Sequence, residues 1–412
     1  SRRRSRVRAS SGPLKRKSRR PALFLYMEIR AKHRQLLLCL SFVVLIWTVF
    51  FACLTQEEMA LRDRERKELE AYLADSVVTL VFAGDVMGHS PMRTAAYNPK
   101  TGVFEFRECF QFVEPYIQNA DLALANLEFT LAGKPYTSFP VFSFPDEMLF
   151  DLQDVGFDVI FTANNHVLDH GKKGVDRTIR KLDSIGMAHA GSYVDAVNRD
   201  TTYPLVMEVK GMRIGFLNMT YGTNGVVAKP PTVINSMDSA EVARDFKRLE
   251  ELGVDLKVVY VHWGNEYQLK ANRYQHAYAR FLARQGADLI IGGHPHVPQD
   301  ADTVFAAEGK PVVTYYSMGN FISNQKDPDT KGGVMIRAQV NRFTGRVIAT
   351  DYMPYYVHKG KIHGKYHYYV IPTIPYINNR YDFSLPKNDS LFVIKLHHEI
   401  EDRLSNFSQW TD

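Results

Sequence analysis

Five short apolar runs, each stopping at a knot of polar side chains, constrain this chain more than any other feature. They are 77–83 (VVTLVFA), 122–126 (LALAN), 158–162 (DVIFT), 256–261 (LKVVYV) and 288–291 (DLII). Runs of this length read as strands, and the longer amphipathic stretches between them, near 105–119, 146–155, 172–185, 238–252 and 271–286, read as helices. The alternation predicts an α/β sheet protein. Residues 204–219 read as a hairpin turning at Lys210-Gly211, and 311–317, 333–340 and 346–352 as further strands. From about Met353 the chain is rich in Tyr, His and Pro without a clear period, and no element is assigned there.

The polar knots are Gly84-Asp85, Asn126-Leu127-Glu128, Asn164-Asn165-His166, His262-Trp263-Gly264-Asn265-Glu266 and Gly292-Gly293-His294-Pro295-His296. In open α/β sheets ligands bind beyond the carboxyl ends of the strands, so five knots at five strand ends converge on one crevice. Taken singly, Asp85 could be a helix cap and Asn126 with Glu128 an ordinary strand end. Three polar residues directly after an apolar run are costly to bury without partners, however, and two imidazoles two residues apart in a glycine-rich loop can face neighbouring metals. Mixed carboxylate, amide and imidazole donors suit one or two divalent transition-metal ions such as Mn, Zn or Fe.

The net charge of +6 is misleading about partners. Residues 1–35 hold 13 Lys or Arg against the single acid Glu28, whereas the remainder carries 38 basic and 44 acidic residues. The basic tail runs straight into 36–54 (LLLCLSFVVLIWTVFFACL), 19 residues without a charge. That is long enough to cross a hydrocarbon core of about 30 Å as a helix. The expectation is a single-pass membrane anchor with no nucleic-acid partner. Arg30, Lys32 and Arg34 before the span put the N-terminus in the cytoplasm and the main domain outside the cell. A cleaved signal peptide is the rival reading, but the run exceeds a signal's apolar core and no A-x-A site follows. Residues 55–75, charged and free of Gly and Pro, read as a helical stalk. Of the three cysteines only Cys109 lies beyond the span, so the exported part must rely on its core rather than on a disulfide.

The order GD, NLE, NNH, HWGNEY and GGHPH, followed by YYSMGNF at 315–321, resembles the CapA/PgsA family of poly-γ-glutamate capsule biosynthesis proteins, a branch of the calcineurin-like metallophosphoesterase superfamily. The resemblance covers about 77–325. It implies a four-layer α/β/β/α sandwich at 76–325 around a two-metal centre, with 326–412 a C-terminal extension. By position it implies Asp85 as a ligand of the first metal, Glu128 as the bridging carboxylate, Asn165 and His262 as ligands of the second, and His294 and His296 as ligands of the second and first. His166 takes the place of the histidine that stabilises the transition state or protonates the leaving group. Two positions depart from the superfamily pattern. Met87 stands where Asp-x-His has its histidine, with His89 a candidate replacement, and Glu128 stands where an aspartate is usual. The implied partners are membrane-embedded polymer synthase subunits and the anionic poly-γ-glutamate itself. Three functions stay open: a metal-dependent hydrolase or transferase of polymer handling, a non-catalytic assembly or polymer-binding factor, and a surface phosphodiesterase unrelated to capsule.

Overall fold

Residues 77–83 do form a strand, but it continues through Asp85 to Met87, and this extension is what brings the first polar knot into the sheet. The computed structural model describes residues 56–362 and 365–410; the basic tail and the apolar run 36–54 lie outside the described residues. Among the described residues no helix is long and apolar enough to cross a membrane. The chain divides into Ser1–Ala74 and Asp75–Asp412. In the first unit the charged stretch after the apolar run is a helix, α1 (Gln56–Asp75).

The strands in chain order are β1 (Val77–Met87), β2 (Leu122–Glu128), β3 (Val159–Phe161), β4 (Ala188–Ala190), β5 (Ser192–Tyr193), β6 (Leu205–Val209), β7 (Met212–Thr220), β8 (Val233–Ile234), β9 (Leu256–His262), β10 (Leu289–Gly293), β11 (Ala301–Phe305), β12 (Pro311–Tyr315), β13 (Asn320–Ile322), β14 (Gly332–Asn341), β15 (Arg346–Ile362), β16 (Lys365–Pro372) and β17 (Ser408–Gln409). Between them run α2 (Ser90–Ala96), α3 (Glu114–Gln118), α4 (Glu147–Val155), α5 (Gly171–Ser184), α6 (Ala196–Thr202), α7 (Ser239–Glu251), α8 (Arg273–Gln285), α9 (Thr373–Ile377) and α10 (Lys387–Arg403). One sheet has the order β16-β15-β14-β1-β2-β3-β4, with β13 beside β1 and β17 beside β15; the other has β11-β12-β10-β9-β7-β6. In the first, β1 to β4 are mutually parallel and β14 to β16 add antiparallel strands. In the second, β7, β9, β10 and β12 are parallel and both edge strands antiparallel.

Two-residue alternation sorts the side chains of β1 between two cores. Val78, Leu80 and Phe82 face the second sheet, joining Ile214, Phe216, Val258 and Tyr260 in one cluster, with Phe161 stacked on Tyr260 at 4.7 Å. Val81 and Ala83 turn the other way, into a core closed by Met148, Leu149 and Leu152 of α4. Helices α7 and α8 cover the second sheet with Val242, Phe246, Leu249, Ala279 and Leu282. Each Val, Leu or Phe among them, fully withdrawn from water, contributes roughly 1.5–3 kcal/mol. Two facing mixed sheets with helices against them therefore make the α/β fold that the sequence predicts.

Two readings change. The helix expected at 105–119 is instead a 3₁₀ turn at Arg107–Phe110 and the short α3, because Pro115 lacks the N–H a continuous helix needs and suits a first turn. The unassigned region after Met353 continues β15 into a long hairpin with β16, then α9, α10 and β17. Its tyrosines alternate between the two cores, Tyr352 and Tyr356 in one and Tyr355 in the other, so strands β14 to β16 complete the first sheet.

Candidate metal centre

Five of the parallel strands, drawn from both sheets, end in the same place, and each delivers one or two polar side chains there. Asp85 lies near the end of β1, Glu128 closes β2, Asn165 and His166 follow β3, His262 closes β9, and His294 and His296 follow β10. All seven are at most 5% exposed. The backbone must yield for them to meet. His294 (φ 96°) and His296 (φ 61°) both adopt the left-handed region, strained for a side chain with a Cβ. Gly293 permits the approach, since a Cβ there would lie 2.7 Å from Asp85 Oδ1 and 2.2 Å from Tyr260 Oη.

The donors form two groups that share one residue. Asp85, Glu128 and His296 make the first, and Glu128, His262 and His294 the second, each with ligand atoms within 4.8 Å of one another. His262 Nε2 is 3.6 Å and His296 Nε2 3.8 Å from Glu128 Oε1. Donors bound at about 2.0–2.2 Å to one tetrahedral ion stand about 3–4 Å apart, so both spacings fit. Asn165 Oδ1 lies 2.9 Å from His262 Nε2, beside the second group.

Hydrogen bonding shows which atoms are already satisfied. Asp85 accepts from Asn126 Nδ2 at 2.8 Å, from Tyr260 Oη at 3.1 Å and from the His294 backbone N–H at 3.1 Å, the last tying the two sheets together. Asn320 Oδ1 stands 3.0 Å from His296 Nδ1 and fixes that ring. By contrast, both carboxylate oxygens of Glu128 and Nδ1 of His294 are buried with no hydrogen-bond partner. Such groups are costly to bury, and a dication between them would satisfy both. Desolvation, reinforced by Asp85, pushes the Glu128 carboxyl well above its ordinary value. Burial likewise holds His262 down to about 4 and His296 down to about 3, with His294 also well below the usual range, so all three present the neutral imidazole that binds a metal. The donor chemistry and the orphaned atoms thus fit one or two borderline divalent ions.

Met87 belongs to the outer core with Val86 and Phe129 and is 2% exposed, so position 87 supplies no ligand to the first group. His89 belongs to neither donor group, and its Nδ1 accepts from the Asn324 backbone N–H at 3.2 Å. Three residues that sequence reasoning passed over also shape the centre. Asp169 Oδ2 stands 2.8 Å from His166 Nδ1 and also accepts from the Phe142 N–H at 2.6 Å. Asn224 Oδ1 accepts from Asn165 Nδ2 at 3.2 Å, and Tyr221 lies with its ring 4.5 Å from that of His294. The spacing of Asp169, three residues after His166, was a usable signal; Asn224 and Tyr221 lie in a loop with none. Burial, the largest single influence on His166, disfavours its charged form. The Asp169 hydrogen bond and the negative charges of Glu128, Asp169 and Glu266 outweigh it and hold the imidazole above its ordinary value.

Two sheets whose strand ends converge on two carboxylate–histidine groups define a mixed α/β protein with a candidate metal centre. The chain belongs to the bacterial capsule synthesis protein family PGA_cap, whose family model matches residues 79–325. It is similar to the capsule biosynthesis protein CapA of Bacillus anthracis, 28% identical over 262 residues, 61% of this chain and 62% of the relative. It is also similar to the PGA biosynthesis protein CapA of Bacillus subtilis, 26% identical over 309 residues, 69% of this chain and 74% of the relative. The match to the first relative therefore spans a little under two thirds of that protein's length. A crystal structure of the calcineurin-like phosphoesterase YfkN from Bacillus subtilis aligns at 13% identity over 79% of this chain and 98% of its own, with a TM-score of 0.38.

Proposed function

We propose that the chain is a membrane-anchored, extracytoplasmic hydrolase or transferase that acts on a phosphoester or amide linkage during the handling of a γ-linked glutamate capsule polymer, beside membrane-embedded synthase subunits. The observation that carries the catalytic part is Glu128, whose two unpartnered carboxylate oxygens are shared by two donor groups next to the His166–Asp169 pair. Asp85, His296 and Glu128 would hold one ion and Glu128, His262, His294 and Asn165 another. Bound there, such ions supply Lewis-acid polarisation of the substrate and activation of water. His166 does the proton work. Its Nδ1 is engaged by Asp169, which leaves Nε2 to protonate the departing group, and the Asp169 hydrogen bond with the nearby carboxylates favours the protonated ring. The uncharged run 36–54 and the basic tail before it support the anchor and the outward orientation.

The test is metal content and turnover of the full chain, with elemental mass spectrometry as the first readout. Wild type should hold about two transition-metal ions, Asp85→Ala and His294→Ala should each lose one, and His294→Ala/His296→Ala should abolish polymer processing. Processing that survives the double substitution sinks the reading. Met87 favours a second one, since position 87 adds no further ligand to the first donor group of Asp85, Glu128 and His296. On that reading the centre holds metal structurally, and the protein binds polymer or assembles the synthase. A metal-replete chain that cleaves neither a phosphodiester nor a γ-glutamyl amide would favour it.

A further inference from the structure

A second cavity, of about 280 Å³, lies on the other side of the segment that buttresses His296. Its lining includes Lys326, Lys331, Lys359, Asn324, Gln325 and Asp389. Three lysines line it: Lys326 and Lys331 from the connection between β13 and β14, and Lys359 from β15. Among the described residues none of the three is ion-paired. Lys359 donates to Asn324 Oδ1 at 2.8 Å and lies over the Tyr366 and Tyr368 rings, and Lys331 lies over the Phe392 ring. Asp389, the one acid in the lining, accepts from Tyr356 Oη of the same lining at 3.4 Å and stands 3.7 Å from His358 Nδ1. The wall shared with the metal centre is direct. Gln325 Oε1 accepts from Asn320 Nδ2 at 2.7 Å while Asn320 Oδ1 holds His296, and the Asn324 N–H donates to His89.

We propose that this cavity is a subsite for a chain of carboxylates, holding successive side groups of an anionic oligomer whose neighbouring linkage sits at the metal centre. The inference rests on the polymer-handling reading for its ligand, but not on catalysis. Lysine ammoniums are point charges on flexible stems, and three of them, two from the β13–β14 connection and one from β15, match carboxylates spaced along a chain. A single phosphate is compact, and the forked arginine geometry that grips it is not in the lining. The tyrosine rings beside Lys359 offer the methylene stem of such an oligomer an apolar wall.

The experiment titrates a fluorescent γ-linked glutamyl oligomer into the full chain and follows anisotropy. The competitors are inorganic phosphate and an uncharged γ-linked glutaminyl oligomer. Lys326→Gln/Lys331→Gln/Lys359→Gln should weaken binding roughly tenfold to a hundredfold, as three modest ion pairs removed together. The three lysine-to-arginine substitutions should largely restore it, and added salt should erode wild-type binding. Unchanged metal content in the glutamine variant shows that it folds. His294→Ala/His296→Ala should lose metal yet keep the oligomer, which separates failure of the subsite from failure of the catalytic reading. Wild-type affinity in the glutamine variant, equal binding of the uncharged oligomer, or full displacement by phosphate at matching concentration would each overturn the proposal.

Discussion

Replacing Glu128 by methionine should stabilise the metal-free protein and destabilise it relative to wild type once metal is present. The side chain is fully buried, both of its oxygens lack partners, and Asp85 lies close enough to raise its pKa further. An unsatisfied buried polar group costs about 1–3 kcal/mol, and methionine fills nearly the same volume without that cost. In a unit the size of Asp75–Asp412 each kcal/mol is worth roughly 1–2 °C, so in chelator the variant should melt about 2–5 °C above wild type. Adding Mn²⁺ or Zn²⁺ should reverse the order. Wild type gains RT ln(1 + [M]/Kd), about 2.7 kcal/mol at a hundredfold excess over Kd, and the variant, missing the ligand common to both groups, gains little. Calorimetric melting of both proteins in chelator and across a metal titration reads both signs. A variant that melts below wild type in chelator would show that the carboxylate is satisfied without metal, and equal metal-induced shifts would show that Glu128 is no ligand.

Asp169→Asn should leave metal content intact but slow turnover of a phosphodiester about tenfold to a hundredfold, since it unseats His166 without touching a donor; an unchanged kcat would remove Asp169 from the mechanism. Arg199→Ala should destabilise by about 3 kcal/mol in urea melts, because Arg199 grips the mostly buried Asp245 through both carboxylate oxygens and leaves it unpaired when removed; Asp245→Asn in the same background should recover much of the loss. Burial is the largest single influence on Asp146 and would raise its pKa, but hydrogen bonds from Arg177 and Lys181 and their charges hold the carboxyl below its ordinary value. A depressed folded value means that its contribution is complete above the ordinary aspartate range and is lost as pH falls through the lower folded value. Asp146→Asn should therefore flatten the acid limb of stability against pH and leave the neutral region less stable; an unaltered acid limb would refute the assignment.

The centre was legible because chemistry and periodicity coincide at five places. Each donor sits where an apolar run stops, and a residue such as His262, closing VVYV, has no reason to be there if only packing mattered. The boundaries were less so. Asp85 and Glu128 read as loop residues after their strands, whereas pairing of β1 with β13 and β2 carries both inside the sheet. For Asp85 the second partner is Asn320, more than two hundred residues away, and nothing in VFAGDVM announces it. The tyrosine-rich C-terminal hairpin escaped for a similar reason, since its alternation separates two cores instead of core from water.

What the structure adds bears on the choice between an enzyme and a structural metal site. A structural ion is best served by a closed shell in which every ligand is held by its neighbours. Asp85 and His296 are held in that way, by Asn126, Tyr260 and Asn320. Glu128 and His294 offer ligand atoms that no protein group satisfies, and His294 and His296 lie in strained backbone. Nor would a structural ion need His166, which belongs to neither donor group yet is oriented by an aspartate that also accepts from the backbone of Phe142. On the proposed function, fixing one nitrogen of that imidazole suits the ring to proton transfer. Met87 then marks which half of the centre is weaker: the group built on Asp85 and His296 should lose its ion first as chelator is raised, while the group built on His262 and His294 keeps its own.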